Sequence, residues 1–192
     1  ETVARNARHL ALWTSVVTFG LSLLLIAYFD ISTADFQYVE SVPWLSDYNI
    51  GYHLGIDGIS IFFLLLTTFL IPICILASWD AIKDRVREFM VAFLVMETLV
   101  VGVFSSLDFL MFYIFFEGLL IPMYLIIGIW GGSRRVYSAL KFFLYTLVGS
   151  VLFLIAILWI YLEVGTTDIP TIMQYNFSPE VQIWLWLAMF AS

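Results

Sequence analysis

Three ionisable side chains stand inside long apolar stretches of this sequence. Glu97 lies in EFMVAFLVMETLVVGVFSS, Glu117 in FLMFYIFFEGLLIPMYLIIGIWG and Lys141 in YSALKFFLYTLVGSVLFL. Holding a charge at the middle of a bilayer costs about 2.5–3.5 kcal/mol even on the lenient insertion scale, so such groups face protein or water and tend to be functional. Tyr113, Leu120, Ile121 and Tyr124 share the helical stripe of Glu117, which sets a phenol on either side of the carboxylate. Pro122 deprives the Gly118 carbonyl of its helical donor and opens the backbone to water or a side chain inside the membrane, as Pro72 does beside Thr67 and Thr68. Such a hydratable seam suits a switchable proton site, because the proton affinity of a carboxylate follows its solvation and its distance from a cation. Moving one charge through the membrane field costs about 2.3 kcal/mol per 100 mV, a scale that modest changes of affinity can match. A sodium or other cation pathway would use the same groups.

Each of these residues also has a plainer reading. Glu117 can serve as interhelical hydrogen-bonding glue. Glu97 has only Phe93, Leu94, Val100 and Val101 along its stripe. Glu97 and Glu117 lie about ten residues either side of the connection at Ser106 to Asp108, so an antiparallel hairpin brings them to one depth. Tyr137, Lys141, Tyr145 and Gly149 form a stripe that turns Lys141 inward, at the level of Tyr124 and roughly 10 Å in height from Glu117. A direct ion pair with Glu117 would then need a helix shift or an intervening water, and the plainer alternative is snorkelling to the headgroups. Asp57 and Asp108 open apolar runs, where a carboxylate caps exposed amides.

The elements that must position these groups follow from composition. The chain is 62% hydrophobic and 12% charged, with seven Trp, far from the balance of soluble domains. Apolar runs over 9–29, 57–79, 89–106, 109–130 and 136–162 are long enough to cross a hydrocarbon core of about 30 Å. A sixth covers 181–192 and is too short to span, and the first residue is Glu1, so residues 1–192 are expected to be one transmembrane helical fragment of a longer chain. Arg5 and Arg8 precede the first run, Lys83, Arg85 and Arg87 join the second to the third, and Arg134, Arg135 and Lys141 open the fifth. With alternating crossings all of these fall at one end, expected to be cytoplasmic or, in an organelle, on the matrix side. The opposite end carries Asp30, Asp35, Glu40, Asp47, Asp57, Asp108, Glu163, Asp168 and Glu180.

The first run is too long for a signal-peptide core and lacks a small-residue cleavage site. Its Ala11, Ser15, Thr18 and Ser22 make a small-residue stripe suited to close helix packing. In the loop 30–56, FQYVESVPW and NIGYHLGI flank LSDY and permit a β-hairpin at the acidic end, with a Pro in its first strand. The segment EVGTTDIPTIMQYNFSPE reads as a polar connection. Cys74 is the single cysteine, so no disulfide, iron–sulfur or zinc spacing exists within the chain, and His9 and His53 lack ligand-spaced companions. His53 reads as an ordinary loop histidine. GIWGGS lacks the strand, spacing and Lys of a phosphate-binding loop, and nothing marks a nucleotide or nucleic-acid site.

Three longer stretches, YHLGIDGISIFFLLLTTFLIPICILASW, DFLMFYIFFEGLLIPMYLIIGIWGG and YSALKFFLYTLVGSVLFL, carry a family likeness in order along the chain. They resemble the antiporter-like chain M, or subunit 4, family of proton-pumping NADH-quinone oxidoreductase, respiratory complex I. The resemblance implies an all-α polytopic transmembrane bundle of about fourteen helices built as inverted repeats, of which this chain covers the second helix to the start of the seventh. It implies that Glu117 is the key carboxylate of the family's fifth helix and that its lysine partner lies beyond Ser192, so Lys141 is not promoted into that place. Glu97 falls on the fourth helix, where the family pattern is less uniform. The resemblance further implies that NADH, FMN, iron–sulfur clusters and quinone belong to other subunits and none to this chain, that the partners are other membrane-arm subunits and the lipid bilayer, and that the location is a bacterial inner or mitochondrial inner membrane. Quinone reduction elsewhere would then shift Glu117 against its lysine and move a proton along water chains. A cation/proton antiporter subunit and a purely architectural membrane scaffold are the competing readings.

Overall fold

The computed structural model describes residues 2–191. Its order is α1 (Thr2–Ala27), β1 (Gln37–Leu45), a 3-10 turn (Ser46–Tyr48), β2 (Ile50–Ile56), α2 (Ser60–Ala77), α3 (Val86–Ser105), α4 (Phe109–Trp130), α5 (Arg135–Val164), α6 (Ile169–Ile172) and α7 (Pro179–Phe190). Five of these helices, α1 to α5, are long and apolar enough to cross a membrane. The bounds of α4 coincide with its apolar run, whereas α1 starts well before position 9. Ala and Arg favour a helix whether or not they favour lipid, so Ala4, Arg5, Ala7 and Arg8 prolong it into the polar boundary. Pro179 opens α7 at a first-turn position, where its missing N–H removes no helical bond.

Successive spanning helices pack side by side, and α1 also lies on α3 and α7 on α5. The small-residue stripe performs as expected: Ala11, Ser15 and Ser22 are buried, and the Ser22 and Thr68 hydroxyls meet at 2.8 Å between α1 and α2. One apolar cluster near the basic end joins Ala11, Ile71, Ile75, Val86, Phe89 and Met90, while Ile56, Ile61 and Leu64 form another near the acidic end. Much of the outward surface is apolar, with Leu66, Leu144 and Val148 exposed.

The contact of α3 with α4 depends on two glycines. A Cβ on Gly102 would lie 2.6 Å from the Phe115 ring, and one on Gly118 would lie 3.1 Å from the Leu99 side chain. These two pairs fix the register of the antiparallel helices.

The β-hairpin is present at the acidic end, antiparallel, with Ser41 opposite His53 and Pro43 opposite Gly51. Pro43 borders a register irregularity before Leu45, where its missing donor is tolerated. The hairpin does not hang free. Leu107 N–H, in the α3–α4 turn, donates to the His53 carbonyl at 2.9 Å, and Ile169 N–H donates to the Leu107 carbonyl at 2.8 Å. Phe109 N–H adds a bond of 2.9 Å to the Thr167 carbonyl. Three connections are thereby stitched into one cap. The connection after α5 is also more ordered than its polar sequence suggests, because α6 forms within it and Asp168 caps that turn.

Candidate functional site

Glu97 and Glu117 lie on adjacent antiparallel helices whose register is set by the Gly102–Phe115 and Gly118–Leu99 contacts. Glu97 shares the α3 face of Met90, packed toward α1 and α2, and Glu117 shares the α4 face of Tyr113 and Tyr124, turned toward α5. That register brings Glu97 level with Leu120, about one helical turn (~4.5 Å) in height from Glu117. Glu97 is 4% exposed. Its Oε1 and the Oε1 of Glu117 are buried with no hydrogen-bond partner among the described residues. A buried acceptor without a donor costs about 1–3 kcal/mol, more if charged, so both carboxyls carry an unmet demand for a hydrogen-bond donor among the described residues.

The neighbours of Glu117 come from α4 and α5. The Tyr113 phenol lies beside both Glu117 and Ser150. The Tyr113 ring stacks on Phe153 at 6.4 Å, and Tyr124 meets Phe143 edge-on at 5.7 Å, so both phenol-bearing residues turn toward α5. Ser150 is buried and donates to the Leu147 carbonyl at 3.0 Å, which leaves its oxygen free to accept. Sequence reasoning passed over Ser150. Its signal was the adjacent Gly149 and Ser150 on a helix whose other buried positions are Ala139, Phe153, Ala156, Ile157 and Ile160.

Two sequence-based expectations about facing need correction. Ile121 belongs to the Glu117 stripe by spacing but is 64% exposed, while Leu120 beside it is buried. The stripe of Lys141 points it inward, yet among the described residues it is exposed together with Tyr137 and the 83%-exposed Tyr145. The cause is helical drift. Positions four apart advance by about 40° each time, so a stripe drawn from Tyr137 through Lys141 has rotated onto the packed face by the time it reaches Gly149. Within the described residues Lys141 and Glu117 are not brought together.

At the acidic end a second cluster forms that the sequence did not reveal. His53 Nδ1 and Asp168 Oδ1 lie 2.7 Å apart, although they are separated by most of the chain. The other Asp168 oxygen accepts from Thr171 N–H and its hydroxyl. Burial alone would push the Asp168 carboxyl up, but the bonds from Thr171 and His53 outweigh it and hold the group below its ordinary value. The carboxylate is then acceptor-only, so His53 Nδ1 carries the proton between them. Asp108, 1% exposed, accepts from Leu110 and Met111 N–H through Oδ1 and from the Thr167 hydroxyl at 2.6 Å through Oδ2. Its expected capping role is therefore realised, with a tertiary bond added. Asp57 likewise accepts from the Ile59 and Ser60 amides ahead of α2.

Comparison with known proteins assigns the chain a family. The family described as NADH-ubiquinone oxidoreductase chain 4, amino terminus, matches residues 6–104, and that described as NADH:quinone oxidoreductase/Mrp antiporter, TM, matches 106–192. NADH-ubiquinone oxidoreductase chain 4 of Arabidopsis thaliana is 52% identical over 98% of this chain and 38% of its own length. NADH-quinone oxidoreductase subunit M of Rhodobacter capsulatus is 50% identical over 98% of this chain and 39% of its own length. The chain thus spans 38–39% of these relatives. Among solved structures, a chain of respiratory complex I from Thermus thermophilus with bound NADH superposes with a TM-score of 0.83 at 28% identity, over 96% of this chain and 39% of that one. A chain of the Mrp complex from a Dietzia species superposes with a TM-score of 0.82 over 96% of this chain and 20% of that one, a likeness of fold alone at 15% identity.

Proposed function

Because this chain belongs to the family of NADH-quinone oxidoreductase chain 4, we propose that it is part of a proton-translocating membrane-arm subunit of NADH:quinone oxidoreductase, with Glu117 as its protonable group. The observation that carries this reading is the pair of buried carboxyl oxygens on Glu97 and Glu117, without partners among the described residues and about one turn apart in height on adjacent helices. Protonated Glu117 is neutral and tolerable in an apolar seam. Ionised Glu117 needs water, a hydroxyl or a cation, and Tyr113 with Ser150 supplies the nearest polar surface. A cation brought closer favours the ionised form and releases the proton; its withdrawal favours uptake. Glu97 is a second holding point for the proton. Lys141, exposed on α5, is the least supported of the three and enters only if a further helix covers that face.

In this reading the chain carries no redox group. NADH, FMN, iron–sulfur clusters and quinone are held by other subunits, and the energy of quinone reduction reaches Glu117 as a displacement of charge. The basic end faces the bacterial cytoplasm or the mitochondrial matrix, following the Lys and Arg bias of the connections. The test is NADH-driven proton uptake into vesicles holding the full-length subunit in its complex, with Glu117→Gln and assembly verified. Loss of uptake with electron transfer coupled to it supports the reading. Normal uptake would sink it and leave Glu117 as interhelical glue.

A second reading is a cation/proton antiporter subunit, favoured by the family description that covers both oxidoreductase and Mrp antiporter chains. Purification of the full-length chain from its source separates the two. Peripheral redox subunits copurify only under the first.

A further inference from the structure

At the basic end of the bundle, the start of α1 and the α2–α3 connection enclose a cavity of about 600 Å³, lined by Thr2, Ala4, Arg5, Arg8, Trp79 and Lys83. Three of these side chains are cations and none is acidic. The α2–α3 connection does contain Asp80 and Asp84, but neither lines the space. Among the described residues no carboxylate comes within 4.0 Å of Arg5, Arg8 or Lys83; the one ion pair is at the acidic end.

Arg8 is held in place rather than free to leave. Its Nη2 donates to the Ile82 carbonyl at 2.7 Å, and its guanidinium lies 5.8 Å from the centre of the Trp79 ring. His9 packs edge-on against the same ring at 5.1 Å. A further donor, Nε–H, is buried and has no acceptor among the described residues. A guanidinium fixed between two more cations is suited to an anion that presents several oxygens.

We propose that this cavity binds the phosphate of an anionic phospholipid headgroup. A phosphodiester offers acceptor oxygens to the guanidinium and a negative charge that Arg5, Arg8 and Lys83 lack among the described residues. What favours a lipid over a free phosphate is the helix surface beneath. Arg5, His9, Trp13 and Val16 fall on one stripe of α1, and Trp13 and Val16 are exposed there. A headgroup in the cavity thus leaves its acyl chains along an apolar track running from the polar boundary into the hydrocarbon. Basic pockets between helices at this membrane boundary bind anionic headgroups by the same two features, charge at the top and apolar wall below.

The test uses the full-length chain in its assembled complex, stripped of loosely held lipid and exchanged into nanodiscs of phosphatidylcholine carrying a small fraction of phosphatidylglycerol. Lipid retained through a second detergent extraction is read by native mass spectrometry. Arg5→Gln with Lys83→Gln should lower retained phosphatidylglycerol by about tenfold or more, since each surface cation contributes on the order of a factor of five. Arg134→Gln with Arg135→Gln removes the same charge at the same end but outside the cavity and should leave retention within about twofold. Equal loss in both double variants overturns the proposal, because it would report general surface charge. A photo-crosslinkable phosphatidylglycerol on the unsubstituted complex gives an answer independent of variant folding. Adducts on residues 2–16 or 79–83 support the site, and adducts confined elsewhere overturn it. Displacement of the lipid by millimolar inorganic phosphate, with no effect of chloride at equal ionic strength, would overturn the lipid assignment in favour of a small-anion site.

Discussion

Two sets of carboxylates occupy this bundle, one in its middle and one at its acidic end, and they are treated in opposite ways. At the acidic end both oxygens of Asp108 and both of Asp168 accept hydrogen bonds, from amides, hydroxyls and His53. In the middle, Glu97 and Glu117 each keep a buried oxygen with no partner among the described residues. Satisfied carboxylates tie segments together through their bonds. A buried oxygen without a partner keeps an acceptor open, which suits the proton-carrying role proposed for Glu117. Burial does not distinguish the two sets, since Asp108 and Glu97 are both nearly inaccessible; the count of donors does.

The contrast can be broken most directly at Glu117. Glu117→Gln should abolish NADH-driven proton uptake, a fall of tenfold or more, in complexes that assemble normally; Asp108→Asn, measured beside it, should pump at the native rate per assembled complex. A pumping defect of equal size in both would erase the distinction. The reverse effect belongs to stability. Asp108→Ala strips two amides of α4 and the Thr167 hydroxyl of their acceptor, and should lower stability by about 2–4 kcal/mol, seen as a lower midpoint of thermal disassembly.

A smaller effect sharpens the register on which the middle set depends. Gly102→Ala drives a methyl into the Phe115 ring and should cost about 1–3 kcal/mol while displacing Glu97 relative to Glu117. The same substitution at Gly20, where nothing lies within 4 Å, should change disassembly little. The smallest effect concerns Asp168, which is partly exposed, so its pair with His53 contributes roughly 0.5–1 kcal/mol. Because the carboxyl is held below its ordinary value, that contribution is present above about pH 3.9 and disappears as the pH falls through this value and then through the lower folded one. Amide protection at Leu107 and Ile169 should weaken on acidification, and Asp168→Asn should remove that pH dependence. A flat profile in the unsubstituted chain would show that backbone bonds alone hold the cap.

Much of this was legible beforehand. Apolar run length gave the spanning helices because a hydrocarbon core demands a minimum number of apolar residues and internally satisfied backbone. Alternating residue types with turn signals gave the hairpin, and Glu117 stood out because a carboxylate in such a run has no cheap explanation. Facing was the harder matter. The stripe through Lys141 misled because spacing of four drifts around a helix, and only the packing of Ala139, Ser150 and Phe153 determines which side is covered. The residues joined at the acidic end were illegible for a different reason. His53, Asp108 and Asp168 sit in three separate connections, and no local period links positions so far apart.

The sequence by itself determined that this is a membrane-crossing bundle, which end is basic, and which carboxylates lie at depth, since each follows from hydropathy summed over a segment. Tertiary structure alone decided which of those carboxylates are satisfied. Hydrogen bonding is short-ranged and directional, so whether a buried oxygen finds a donor depends on ångström-scale placement of residues from different segments, as Thr167 reaches Asp108 and nothing described reaches the orphaned oxygen of Glu117.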